Sequence, residues 1–297
     1  MPHVTTCASL GYSHYSLEQA AQRIGRRGFR QIEITHLAFY SLHYTLAEVE
    51  AAGVKAMLAR YGLTATAMNF NAGWVDNTGF PCLHRLDDPD QARRFESITE
   101  RLLGDAVQLG VRVLTVPILR RRPGATESEE LSEMEQGAKV VGRLADRAAA
   151  LGVRLALEAP HVRLLYYNLP RLAELLALTP SRNLGVVLDS SHWQVVGYAL
   201  DEYFALVGDR LCHVHLRDAA VAPGAAGSGA AGNLEMTPGR GQVDFGLLGR
   251  KLDSFGYDGQ ASLEFEYRAM PLDDIEAEYD AGIAHLKACG WTFPAGV

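Results

Sequence analysis

The stretch Leu211 to Asp218, LCHVHLRD, alternates with the period of a β-strand, so His213 and His215 project from one face. Two imidazoles on a strand face make a poor core surface, but a good metal site if carboxylates converge on them. Three other apolar, strand-like runs supply carboxylates: LALE ending at Glu158, GVVLD ending at Asp189, and ASLEFE with Glu264 and Glu266. Each acid stands at the C-terminal end of its run, where a parallel barrel gathers its active-site groups. His215 with Glu158, Asp189 and Glu264 makes a mostly oxygen donor set. It suits one divalent ion, Mn²⁺, Mg²⁺ or Co²⁺, with Zn²⁺ also admitted. It does not match the closed thiolate cage of structural zinc. Any one of these acids alone is as well read as the partner in a structural ion pair. Successive strands all ending this way favour the metal.

Other residues surround this set. His192 lies three residues after Asp189, in LDSSH, past the strand end, and is expected to contact substrate. His161, in LEAPH, is similar. His213 is read equally as a partner behind a ligand, a substrate donor or a packed core histidine. Glu33, between two isoleucines, is expected to face Glu158 across a barrel as a polar core plug or a substrate ligand. Glu266 points the same way as Glu264, one pleat further on, as a second acid at the mouth. Arg240, in PGRGQVDF, sits between glycines where backbone can approach a ligand closely. It would hold a substrate oxyanion or stand in solvent.

Positioning these residues needs a scaffold that brings strand ends together. The chain alternates strand and helix patterns eight times, from a β-rich run at His3 to a helix over about Leu272 to Ala288. Such alternation means a parallel sheet, and eight repeats in 297 residues match a single (β/α)₈ barrel, an α/β fold spanning 1–297. No G-x-G-x-x-G follows the first strand, which counts against a dinucleotide-binding sheet. The eighth strand is expected over Gln260 to Glu266. Between Ala219 and Gly232 the chain is rich in Ala and Gly without periodicity, and a flexible loop is expected there.

Composition narrows the function classes. A net charge of −7 without a basic tract argues against a broad nucleic-acid footprint. Arg120, Arg121 and Arg122 form the one notable basic run, and a solvated loop explains it. Cys7, Cys82, Cys212 and Cys289 are far apart, with neither a disulfide framework nor a C-x-x-C zinc knuckle expected. No apolar run approaches the ~18 residues of a membrane span, and the N-terminal residues do not read as a secretory signal. A cytoplasmic protein with no membrane partner is expected.

The ordered set of LE at strand five, LDxxH at strand six, HxH at strand seven, a G-x-G-x-x-D-F loop and LE at strand eight resembles the sugar-phosphate isomerase/epimerase superfamily, the xylose isomerase-like TIM barrels. The resemblance covers essentially the whole chain. It implies that Glu158, Asp189, His215 and Glu264 hold one divalent metal, commonly manganese, and that His192 contacts a small carbohydrate. Similarity to the ketose 3-epimerase branch implies that Glu158 and Glu264 act as the acid/base pair. Proton abstraction next to a carbonyl would then give a metal-stabilised enediolate, and an isomerase or epimerase of a small sugar or keto-sugar. Loss of a leaving group from the same species would make a dehydratase or lyase on a keto-sugar, an inosose or a 3-keto-glycoside. A non-catalytic barrel subunit or sugar-binding module is a third reading, one that predicts weak or no metal. Family members are often homodimers or homotetramers. Two positions depart from the ketose 3-epimerase pattern: Leu164 stands where a substrate-binding glutamate is found, and Val221 where an arginine is found.

Overall fold

The structure is a computed structural model that describes residues 2–37, 41–43, 50–70, 74–75, 81–82, 85–221, 232–267 and 269–297. Eight parallel strands carry it: β1 (Val4–Ala8), β2 (Gln31–Leu37), β3 (Thr64–Phe70), β4 (Val113–Thr115), β5 (Arg154–Glu158), β6 (Gly185–Asp189), β7 (Leu211–Leu216) and β8 (Gln260–Leu263). Each pairs with the next in chain order, and β8 returns to β1, with Val4 opposite Ala261 and Cys7 opposite Leu263. The closed sheet is a (β/α)₈ barrel, as the alternation predicts.

The helices outside it are α1 (Leu17–Arg26), α2 (Ala51–Arg60), α3 (Pro89–Leu109), α4 (Glu127–Ala150), α5 (Leu169–Leu178), α6 (Ser190–Val196), α7 (Leu200–Val207), α8 (Phe245–Phe255) and α9 (Leu272–Ala288). Their starts are written locally. Ser16 and Gln19 close a capping box on α1, and Thr126 and Glu129 close one on α4. Asp88 caps α3 with Pro89 in its first turn, and Gly110 ends it in the left-handed conformation at φ 89°.

Two clusters of the core lie on either side of the barrel wall. The large one lies between strands and helices, where Phe29, Phe95, Phe245 and Phe265 are fully buried. A small one fills the barrel itself with Ala67, Val113, Ala156 and Val187. Along β5 and β6 the next inward residue after Ala156 and Val187 is Glu158 and Asp189. The acids therefore sit one layer above an apolar plug, at the C-terminal mouth.

Three differences from the sequence reading concern the mouth. A helix not read from the sequence follows the sixth strand: α6 begins at Ser190, because Asp189 accepts the Ser191 and His192 backbone N–H groups as an N-cap. Strand β8 ends at Leu263, so Glu264 follows the strand, although its N–H still bonds Leu216 O at 3.3 Å. The first residues of the small-residue stretch are in regular structure, since Asp218–Ala220 pairs antiparallel with Asn233–Met236, just beyond it. Residues 222–231 of that stretch lie outside the described residues.

Candidate metal centre

Register decides which side chains meet. In the β6–β7 ladder His215 stands opposite Asp189, and in the β7–β8 ladder it stands opposite Ser262, two residues before Glu264. Glu158 is the last residue of β5, beside Val187 of β6. Glu158, Asp189, His215 and Glu264 each bring one ligand atom to within 4.8 Å of the others, and all four are buried.

His215 is the hub. Its Nδ1 lies 2.8 Å from Glu158 Oε1 and 3.1 Å from Glu264 Oε2. Its Nε2 lies 3.1 Å from Glu33 Oε1. Burial disfavours an imidazolium here, but Glu264 and Glu33 outweigh it and hold His215 well above the ordinary histidine range. Glu158 goes the other way. Burial, then the neighbouring Asp189, push its carboxyl up to about 8, against the hydrogen bond from His215. Asp189 is held below the usual carboxylate range: burial opposes this, but the Arg217 guanidinium prevails.

The two oxygens of Glu158 have different surroundings. Oε1 faces His215, whereas Oε2 lies 3.6 Å from His161 Nε2 and 3.8 Å from His192 Nε2. The two rings lie together at the mouth, with centroids 4.0 Å apart. Burial drives the His192 pKa down to about 3 and that of His161 well below its ordinary value, so both rings are neutral. His161 Nδ1 accepts the Arg163 N–H at 3.2 Å. That bond puts the ring proton on Nε2, and His161 offers a donor to Glu158 rather than a lone pair to a metal.

The structure separates the remaining candidates. Glu33 is fully buried, and the His215 ring stands between it and Glu158. His213, also fully buried, puts Nε2 3.1 Å from Glu33 Oε2. Glu266 bonds the Arg217 guanidinium. Arg240 does not join the cluster: its exposed side chain bonds Glu278 Oε1 at 3.0 Å. The glycines around Arg240 serve Asp218 instead. Asp218 accepts N–H groups from Gly239, Gly241 and Val243 at 2.8, 2.8 and 2.9 Å. A Cβ on Gly241 would fall 2.4 Å from Asp218 Oδ1, so only glycine fits. Leu164 and Val221, the two departures from the ketose 3-epimerase pattern, are both buried apolar residues.

Two residues of the centre escaped the sequence reading. Asn69, on β3, donates Nδ2 to Glu264 Oε1 at 3.0 Å. Arg217 donates to Asp189 Oδ2 at 2.8 Å and to Ser191 Oγ at 3.2 Å, besides Glu266. The alternation that selects His213 and His215 also selects Arg217, which is the signal that could have found it.

The donor set fits a divalent cation. Glu33, Glu158, Asp189, Glu264 and Glu266 bring five carboxyl groups to this end of the barrel, against the cationic side chains Arg217 and His215. A dication among the hard oxygens would answer that excess.

The family described as xylose isomerase-like TIM barrel matches residues 19–289. The chain is 26% identical to a ketose 3-epimerase of Arthrobacter globiformis over 262 residues, 87% of this chain and 81% of that protein. Its fold is similar to that of a 3-keto-D-glucoside 4-epimerase from E. coli in its apo form, with TM-score 0.71 and 20% identity, covering 96% of this chain and 100% of the other. It is also similar to the IOLI protein with a binding zinc atom, with TM-score 0.69 and 17% identity over 96% of this chain and 95% of that one. Barrel, strand-end acids and the match over most of its length agree: the chain belongs to the xylose isomerase-like TIM barrel family.

Proposed function

We propose that this protein is a divalent-metal-dependent isomerase or epimerase of a small sugar or keto-sugar. The observation that carries the reading is the convergence of Glu158, Asp189, His215 and Glu264 at the barrel mouth. These four would hold the metal, with Mn²⁺ the expected ion. When bound, the metal supplies Lewis-acid stabilisation of negative charge on oxygens beside the reacting carbon.

The protein's own part is proton handling. Glu158 and Glu264 come from strands separated by β6 and β7, so the two carboxylates approach a bound substrate from different sides. One takes the proton next to the carbonyl and the other returns one. Return to the opposite face gives epimerisation, and return to the neighbouring carbon gives isomerisation. His161 and His192, neutral and beside Glu158 Oε2, are placed to hold that oxygen and the substrate hydroxyls near it. Asn69 fixes Glu264 through Oε1, which leaves Oε2 toward the cluster. Elimination on a keto-sugar, an inosose or a 3-keto-glycoside would begin with the same proton abstraction.

The test is metal analysis of protein purified without chelator, then incubation with ketoses, inososes and 3-keto-glucosides in deuterated water with Mn²⁺. About one metal per chain and deuterium at one carbon, with the sugar intact, are expected. Loss of water or aglycone would replace the isomerase reading with the lyase one. No metal and no exchange would leave a non-catalytic barrel.

A further inference from the structure

Glu33 is a buried carboxylate that the proton-transfer scheme does not use. It is fully buried on β2, on the barrel wall opposite the strands that carry the quartet, and both of its oxygens are engaged. Oε1 lies 3.1 Å from His215 Nε2, and Oε2 lies 3.1 Å from His213 Nε2. The two rings stand at 88° to one another, with centroids 5.0 Å apart, so one carboxylate reaches both with separate oxygens. Among the described residues His213 Nδ1 has no hydrogen-bond partner, so the bond to Glu33 is the one described for that ring.

We propose that Glu33 is the positioning residue of the metal centre: it takes the Nε2–H of His215, which keeps Nδ1 facing Glu158 and Glu264 as the nitrogen that would ligate the ion once its own proton leaves, and His213 holds Glu33 in place. The inference rests on the metal reading of the quartet. Imidazole has two nitrogens, and a neutral ring carries its proton on one of them. A carboxylate on Nε2 keeps the proton there and leaves Nδ1 free to ligate, with greater basicity. As a carboxylate Glu33 can only accept, so it presents no donor that would reverse the tautomer. Glutamine can. Its amide would offer one oxygen and one NH₂ group to two imidazoles, and one ring would then have to accept where it had donated.

Sequence position supports a supporting rather than a substrate-binding role. Glu33 stands opposite Ala8 in the β1–β2 ladder and opposite Ala67 in the β2–β3 ladder. Its small neighbours leave room for the side chain to lie across the barrel interior beneath the mouth. With no exposed surface, it has no access for a ligand.

The experiment uses the full chain, metal-free, titrated with Mn²⁺ by calorimetry as wild type, Glu33→Gln, Glu33→Asp and His213→Asn. A ¹H–¹⁵N spectrum of the Zn²⁺-loaded proteins reports the imidazole N–H protons. Wild type is expected to bind one ion and to show a slowly exchanging His215 Nε2–H. Glu33→Gln is expected to weaken Mn²⁺ binding about 10- to 100-fold, the range for losing the carboxylate behind a ligating histidine, and to lose or shift that resonance. Glu33→Asp keeps an acceptor and should recover part of the affinity. His213→Asn keeps Glu33 and should weaken binding by less than Glu33→Gln does. Should Glu33→Gln not fold, Glu33→Asp and His213→Asn carry the test through the same resonance. Wild-type binding with unchanged affinity and an unchanged Nε2–H in the folded Glu33 variants would overturn this inference and leave the metal reading standing. A wild-type chain that binds no metal would overturn both.

Discussion

Arg217→Met removes the one arginine among the described residues that joins the acids of the centre, while leaving a side chain of similar length. In the native protein Arg217 is 5% exposed and bonds Asp189, Glu266 and Ser191. Its NH2 group also lies 3.9 Å from Glu264 Oε2. Methionine would leave the buried Asp189 and the half-buried Glu266 without that partner. Breaking a buried pair from one side costs about 3–5 kcal/mol, mostly because the surviving charge is left uncompensated. For a chain of this size each kcal/mol moves the melting temperature by about 2 °C, so metal-free Arg217→Met should melt about 6–10 °C below wild type. Mn²⁺ should recover more stability in the variant than in wild type, because the ion supplies charge that the guanidinium had supplied. Adding Glu266→Gln should restore part of the loss, giving a double-mutant energy clearly below the sum of the single ones. The assay is thermal and urea unfolding of the four proteins, with and without Mn²⁺. A single variant within about 1 kcal/mol of wild type, with additive double-mutant behaviour, would refute the claim that Arg217 holds the acids together.

Glu158→Gln and Glu264→Gln are each expected to abolish solvent deuterium exchange into substrate while retaining weak Mn²⁺ binding through the remaining three side chains; substantial activity in either would end the acid/base assignment. Acidification should destabilise the protein through His36 and His43. Burial lowers both, His36 to about 4, so the unfolded chain binds more protons below its ordinary histidine pKa. The contribution of these two histidines is thus intact above about pH 6.5 and is lost as pH drops toward 4, by about 3 kcal/mol for His36 alone. His36→Phe, which preserves packing on the Phe70 ring 4.5 Å away, should flatten the slope between those pH values in urea titrations. Asp218→Ala should cost about 3–5 kcal/mol, since three N–H groups from Gly239, Gly241 and Val243 lose their shared acceptor, and hydrogen exchange at those amides should quicken first.

The sequence by itself determined the eight-fold alternation, helix starts such as that at Ser16, and the identity of the three convergent acids and the imidazole. Those features are local. Period two chooses the face of β7, caps at Ser16, Asp88 and Thr126 start helices within one turn, and an acid after an apolar run marks a strand end. Only tertiary structure decided what each polar side chain touches. Glu33 meets His215 across 182 positions of chain and Asn69 meets Glu264 across 195, separations that no local pattern encodes. The same holds for Arg217, whose charge reads as solvated until closure of the barrel buries it against Asp189 and Glu266. Arg240 is the converse. Its glycine-flanked motif suggests close approach to a ligand, and the fold uses that space for the Asp218 carboxylate instead. The physical reason is the same in both cases. Sequence spacing fixes backbone periodicity and the direction of a side chain, while register and closure of the sheet fix which opposite charge stands at its end.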